Sequence, residues 1–206
     1  YCMPAEIFGE SYRFLPKDEI LTFEETQRLA MIFAGLGVTK LRITGGEPLL
    51  RSDLNVLIGM LSKITEIADL TLTTNGYLLN DQARRLQEAG LNRITVSLDT
   101  LDDAIFKEMN GRGFDTQRVL EGIQRASEIG LAPIKINAVV QKGVNDHTLV
   151  ELARHFKGTG QIVRFIEFMD VGTRNAWDMT QVLSAEEIVE RIPGAPVSGR
   201  ALRLLV

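Results

Sequence analysis

The sequence predicts an α/β fold, a wide or incompletely closed parallel (β/α) barrel around a polar cavity. Three observations carry this. Segments rich in β-branched and aliphatic residues alternate with helical patterns along the chain, which is the order of βαβ units and a parallel sheet. Within successive strands one parity is apolar and the other polar. No linker, low-complexity stretch or second composition zone interrupts the 206 residues, so one domain, 1–206, is expected.

The first helix is expected over 23–36, opened by a capping box in which Thr22 is followed three residues later by Glu25. A strand over 40–44 follows, then a helix over 53–64 and a strand over 70–74. A helix over 81–89 stops at Gly90 and feeds a strand over 93–98, and a helix over 116–129 stops at Gly130 before a strand over 134–140. The pattern closes with a helix over 147–156 before Gly158, a strand over 162–168 and a helix over 185–192.

In the strands Leu41, Ile43, Leu70, Leu72, Ile94, Val96, Leu98, Ile134, Ile136 and Ala138 share the apolar parity. Arg42, Thr44, Thr71, Thr73, Asn75, Thr95, Ser97, Asp99, Lys135 and Asn137 share the other. A solid barrel fills its interior with aliphatic layers, and a doubly wound sheet buries two apolar faces, so neither suits this alternation. An antiparallel sheet with one wet face would accept it, but the intervening helices argue against that arrangement. Buried polar groups cost free energy unless paired, so a cavity lined this way should hold water or a polar ligand.

Lys+Arg 23 against Asp+Glu 27 leaves a net charge of -4, and no global field draws in nucleic acid or an anionic membrane. Neither partner is expected, and an anionic ligand has to be held by a few local cations. No apolar run reaches the roughly 18 residues of a membrane helix, and the first residues lack the order of a signal peptide, so a cytoplasmic location is expected. The one cysteine, Cys2, excludes an internal disulfide, and His147 and His155 are not at zinc-motif spacing. The chain opens at Tyr1 without an initiator methionine and stops within the apolar Leu204-Leu205-Val206, which reads as a segment of something longer.

Thr44-Gly45-Gly46-Glu47-Pro48 lies between a strand and a helix, with two glycines that let backbone approach a ligand and a proline that stiffens the turn. Alone, such a pair is equally a tight βα turn. Together with Tyr1-Cys2, however, Gly45-Gly46-Glu47-Pro48 resembles the two signatures of the radical S-adenosylmethionine (SAM) superfamily. Leu41 to Leu49, Thr73-Thr74-Asn75-Gly76, Val96-Ser97-Leu98-Asp99, Lys135 to Val139, Gly143-Val144-Asn145-Asp146 and Arg164 to Met169 further resemble the GTP 3',8-cyclases of molybdenum cofactor synthesis.

The resemblance implies a partial (β/α)6 TIM-like barrel of the radical SAM type that lacks its first strand, which would leave a sheet edge exposed. It makes Cys2 a thiolate ligand of a 4Fe-4S cluster, and hence catalytic, and sets Tyr1 beside adenine. Gly45, Gly46, Glu47, Ser97 and Met169 correspond to positions that hold SAM, and Asn137 lies on the face to join them. Arg42, Thr73, Lys135 and Arg164 match positions that bind GTP; guanidinium forks and an ammonium point charge suit a triphosphate. The implied reaction splits SAM reductively to a 5'-deoxyadenosyl radical, which takes the ribose 3' hydrogen so that the carbon radical adds to C8 of guanine. A flavodoxin-like or ferredoxin-like electron donor, a downstream pyranopterin-forming enzyme and a homodimer are the implied partners. The family's first two cluster cysteines would precede Tyr1, and the three of a second cluster would follow Val206, so this polypeptide on its own is expected to be inactive. Three other readings compete: a radical SAM enzyme with another substrate, a Schiff-base barrel aldolase using Lys135, and a non-catalytic nucleotide-binding fragment.

Overall fold

The computed structural model describes residues 12, 15, 16, 19–172 and 177–192, among which are five strands and seven α-helices. The strands are β1 (Lys40–Ile43), β2 (Asp69–Thr74), β3 (Arg93–Ser97), β4 (Lys135–Val140) and β5 (Ile162–Glu167). The helices are α1 (Phe23–Gly35), α2 (Leu54–Leu61), α3 (Leu79–Glu88), α4 (Asp103–Asn110), α5 (Thr116–Glu128), α6 (Leu149–Phe156) and α7 (Ala185–Arg191). The sheet runs in chain order, β1-β2-β3-β4-β5. The pairs β1 with β2, β2 with β3 and β4 with β5 are all parallel, so each return is a helical crossover. This is the expected α/β architecture, consistent with a partial (β/α) barrel.

Every expected strand and helix is present, with ends shifted by a few residues. The capping box is formed: Thr22 Oγ1 accepts from the Glu25 N–H at 3.1 Å and the Glu25 carboxylate accepts from the Thr22 N–H at 2.9 Å. Helix α4 is the one element the sequence patterns do not foreshadow. Asp102 caps it by accepting from the Ala104 and Ile105 N–H groups, and Gly111 ends it in the left-handed region at φ 60°. At eight residues, with Phe106 its one buried side chain, it is too short for its Ile105, Phe106 and Met109 stripe to stand out.

The described residues form two compact units. No linker marks the division, because each unit draws on segments far apart in the chain. One comprises the described residues up to Val96 together with Val119–Ile134. Its register sets Ile43 against Leu72 and Leu72 against Ile94, on the apolar side, with Leu72 0% and Ile94 1% exposed. Arg42 pairs with Thr71 and Thr73 with Thr95 on the polar side. At the beginning of these strands Asp69 binds the Arg93 guanidinium and, at 3.1 Å, Lys40, and the bond to Arg93 holds its carboxyl below the usual range.

The other unit comprises Ser97–Arg118 and the described residues from Lys135 onward. Val140, Leu149, Leu183 and Ile188 form one buried apolar cluster in it, with Phe165 and Ile192 packed against them. The β4–β5 register sets Asn137 beside Arg164 and, on the opposite face, Ala138 beside Phe165. Arg191 of α7 reaches Asp146 at 2.6 Å.

Candidate functional site

In the first unit the site elements are the ends of β1 and β2. After Ile43 the chain emerges into Thr44, Gly45 and Gly46, all exposed. Open space surrounds the position a side chain at Gly45 would take. The loop is anchored immediately afterwards by Pro48 and Leu49, both buried, in a 3-10 turn (Pro48–Leu50). Glu47 caps that turn, accepting from the Leu49 N–H at 2.9 Å, and the same carboxylate accepts from the Thr74 hydroxyl and the Asn75 N–H, each at 2.7 Å. Gln82 of α3 adds a bond to the Leu49 carbonyl at 2.9 Å. Arg42 is exposed on β1, and Thr73 Oγ1 is buried on β2 without a hydrogen-bond partner.

In the second unit the ends of β3, β4 and β5 carry the site residues. The Leu98 N–H donates to the Asn137 carbonyl at 2.9 Å, and Asp99 Oδ1 accepts from the Val139 N–H at 2.8 Å. These bonds set Ser97 alongside Asn137, whose register partner is Arg164; Lys135 lies two residues before Asn137 on the same face. Asn137 Oδ1 is buried and has no partner. Met169 follows Phe168 at the end of β5 and is 42% exposed. Asn145 ties this edge together: fully buried, it donates through Nδ2 to the Asp99 carbonyl at 2.9 Å and the Val139 carbonyl at 2.8 Å, and accepts from the Gln141 N–H at 2.8 Å. Asp99 keeps a little accessible surface, yet desolvation by burial outweighs its bond from Val139 and pushes its carboxyl up to about 6.

Ser97, Asn137, Lys135 and Arg164 thus share neighbouring positions on one polar strand face, and Met169 sits just beyond it. Arg42, Gly45, Gly46, Glu47 and Thr73 belong to adjacent strand ends of the other unit. Tyr1 and Cys2 lie outside the described residues. Sequence reasoning passes over Thr74, Asn75, Asp99 and Asn145 as working residues. All four stand within the segments that carry the family resemblance, but Asn and Asp at the ends of strands look like ordinary turn formers.

A family model described as the radical SAM superfamily matches residues 1–156. The chain belongs to that superfamily. Among curated relatives, it is 51% identical over 192 residues to "GTP 3',8-cyclase" of Staphylococcus saprophyticus, covering 93% of this chain and 56% of that protein. The protein of the same name from Staphylococcus aureus strain JH9 is 50% identical over the same span. The chain therefore spans about half the length of the curated relatives it matches. Solved structures share the fold: a radical SAM methyltransferase from Sphaerobacter thermophilus has a TM-score of 0.64 at 19% identity, covering 89% of this chain and 55% of that one. Methylornithine synthase has a TM-score of 0.65 at 17% identity, covering 89% and 53%.

Membership of the superfamily brings a 4Fe-4S cluster and SAM as cofactors, and the described residues leave polar groups open for the second. Thr73 Oγ1 and Asn137 Oδ1 are buried polar atoms that only a further polar group can satisfy, and the Gly45-Gly46 backbone stands in the open. No group of three or more His, Cys, Asp or Glu able to hold a metal occurs among the described residues. No helix among the described residues is long and apolar enough to cross a membrane.

Proposed function

We propose that the chain is the barrel portion of a radical SAM lyase acting on GTP, a GTP 3',8-cyclase of molybdenum cofactor synthesis. The observation that carries this reading is chemical. In one unit Thr73 Oγ1 lacks a partner on the strand face that bears Arg42, and in the other Asn137 Oδ1 lacks one on the face that bears Lys135 and Arg164. Such faces suit polar, polyanionic ligands. The identity to proteins named GTP 3',8-cyclase supports GTP as that polyanion.

Bound with a 4Fe-4S cluster to which Cys2 contributes a thiolate, SAM supplies hydrogen-atom abstraction. The chain's own residues bind and orient. Gly45 and Gly46 offer backbone groups to the methionine end of SAM, Tyr1 flanks its adenine, and Ser97, Asn137 and Met169 complete its contacts. Glu47 serves the same loop. Arg42, Lys135 and Arg164 take phosphate oxygens and Thr73 gives a hydroxyl, holding the ribose and base in one orientation, where most of the protein's contribution lies. The reading implies a cytoplasmic enzyme with a flavodoxin-like or ferredoxin-like electron donor, a downstream pyranopterin-forming enzyme and a homodimeric assembly.

The test is anaerobic turnover of the native-length, iron-reconstituted protein with SAM, dithionite and either GTP or ATP. A cyclised guanine nucleotide from GTP and none from ATP is the expected result. Consumption of SAM with no nucleotide product would overturn the cyclase reading and favour another substrate.

A further inference from the structure

We propose that Glu47 is a positioning residue whose carboxylate latches the Gly45-Gly46 loop to the Thr74-Asn75 end of β2, so setting the backbone that receives SAM. The inference rests on the proposed role of this loop in binding SAM. The family resemblance groups Glu47 with the residues that hold the cofactor. The geometry points elsewhere, because both carboxylate oxygens are already engaged within the protein. Oε1 accepts from the Leu49 N–H at 2.9 Å and the Thr74 hydroxyl at 2.7 Å, while Oε2 accepts from the Asn75 N–H at 2.7 Å.

The partner segment is itself held in place. Thr74 Oγ1 accepts from the Gly76 N–H at 3.0 Å and Asn75 Oδ1 from the Tyr77 N–H at 3.0 Å. Gly76 turns at φ +80°, and a Cβ there would meet Val96 Cγ1 at 2.8 Å and Val119 Cγ1 at 2.9 Å. The segments Gly45–Pro48 and Thr73–Gly76 are therefore two halves of one device, joined across 27 residues of sequence by the bond from Thr74 to Glu47. Three donors converge on one acceptor-only group. Glutamine at this position would turn an NH2 against one of the donors.

The test uses the native-length protein loaded with its cluster, as Glu47→Gln, Thr74→Val, the double variant and Thr74→Ser. Calorimetry gives the dissociation constants of SAM and GTP, and hydrogen exchange gives the protection of the Asn75 amide without either ligand. Glu47→Gln and Thr74→Val should each weaken SAM about tenfold. The double variant should be no weaker than Glu47→Gln, because both lose the same link. GTP affinity should hold, Thr74→Ser should bind SAM like the parent, and the Asn75 amide should exchange faster in Glu47→Gln. If Thr74→Val binds SAM normally, if the two losses add, or if Asn75 protection is unchanged, the latch is refuted and Glu47 acts on the ligand directly. Should Glu47→Gln fail to fold, the contrast between Thr74→Val and Thr74→Ser decides alone. None of these readouts needs product from GTP, so the latch stands or falls separately from the cyclase reading.

Discussion

Asp99 and Asn145 show how single buried polar residues govern one edge of the sheet. Desolvation raises the Asp99 carboxyl from 3.8 to about 6. The folded protein therefore binds that proton more tightly than the unfolded chain does. The sign follows: the stability lent by protonation is full below pH 4 and is lost as pH rises through 6. A shift of this size corresponds to at most about 3 kcal/mol. In urea unfolding, Asp99→Asn, which keeps an oxygen for the Val139 N–H, should match the parent near pH 4 and exceed its stability by up to that amount at neutral pH. A difference that stays constant with pH would contradict the assignment. Asn145 answers three backbone groups from a position with 0% exposure. Its replacement by Ala orphans the Asp99 and Val139 carbonyls and the Gln141 N–H, and should cost about 3–5 kcal/mol, read as a lowered urea midpoint. A loss below about 1 kcal/mol would mean that water takes its place.

Helix α1 packs through its smallest apolar side chains. It buries the small side chains Ala30 and Ala34, while Leu29, Met31, Ile32, Phe33 and Leu36 are 37% to 77% exposed. An apolar surface of that kind drives self-association in water. Ile32→Glu with Leu36→Lys should lower light scattering of the 206-residue chain at high concentration and leave the melting temperature nearly unchanged. Unchanged scattering would show that α1 is not the adhesive surface. The turn after β2 carries a different constraint. Gly76 has positive φ and its missing Cβ position is filled by Val96 and Val119, so Gly76→Ala should destabilise by about 2–4 kcal/mol through strain and overpacking combined.

At the scale of the whole molecule, charge separates the two proposed ligands. The chain is net negative at -4, so attraction for GTP has to come from Arg42, Lys135 and Arg164 locally. Local charge pairs are screened by salt. Raising salt from about 0.05 M to about 0.5 M should weaken GTP several-fold in the native-length protein, whereas SAM, which carries no phosphate, should change little. Equal weakening of both would remove the case for a cationic triphosphate site.

Much of this architecture is legible in the chain itself. Strand and helix order, the capping box at Thr22, the glycine stops and the two parities all follow from local periodicity and turn chemistry, which act over a few residues. The Gly-Gly loop and the cations on the polar parity are legible for the same reason. Helix α4 is not, because eight residues are too short a window for its Ile105, Phe106 and Met109 stripe to declare a helix.

Which groups distant in sequence share a bond is settled by the tertiary structure alone. Glu47 meets Asn75 across 28 residues, and Asn145 meets Asp99 across 46. Such pairings depend on strand register and on the path each loop takes over the sheet, and no local propensity encodes either. The same holds for α1, whose side chains face water or protein according to what the remaining elements place against it. Periodicity in the chain sets which residues alternate, and the free energy of packing the assembled strands sets which of those residues find partners.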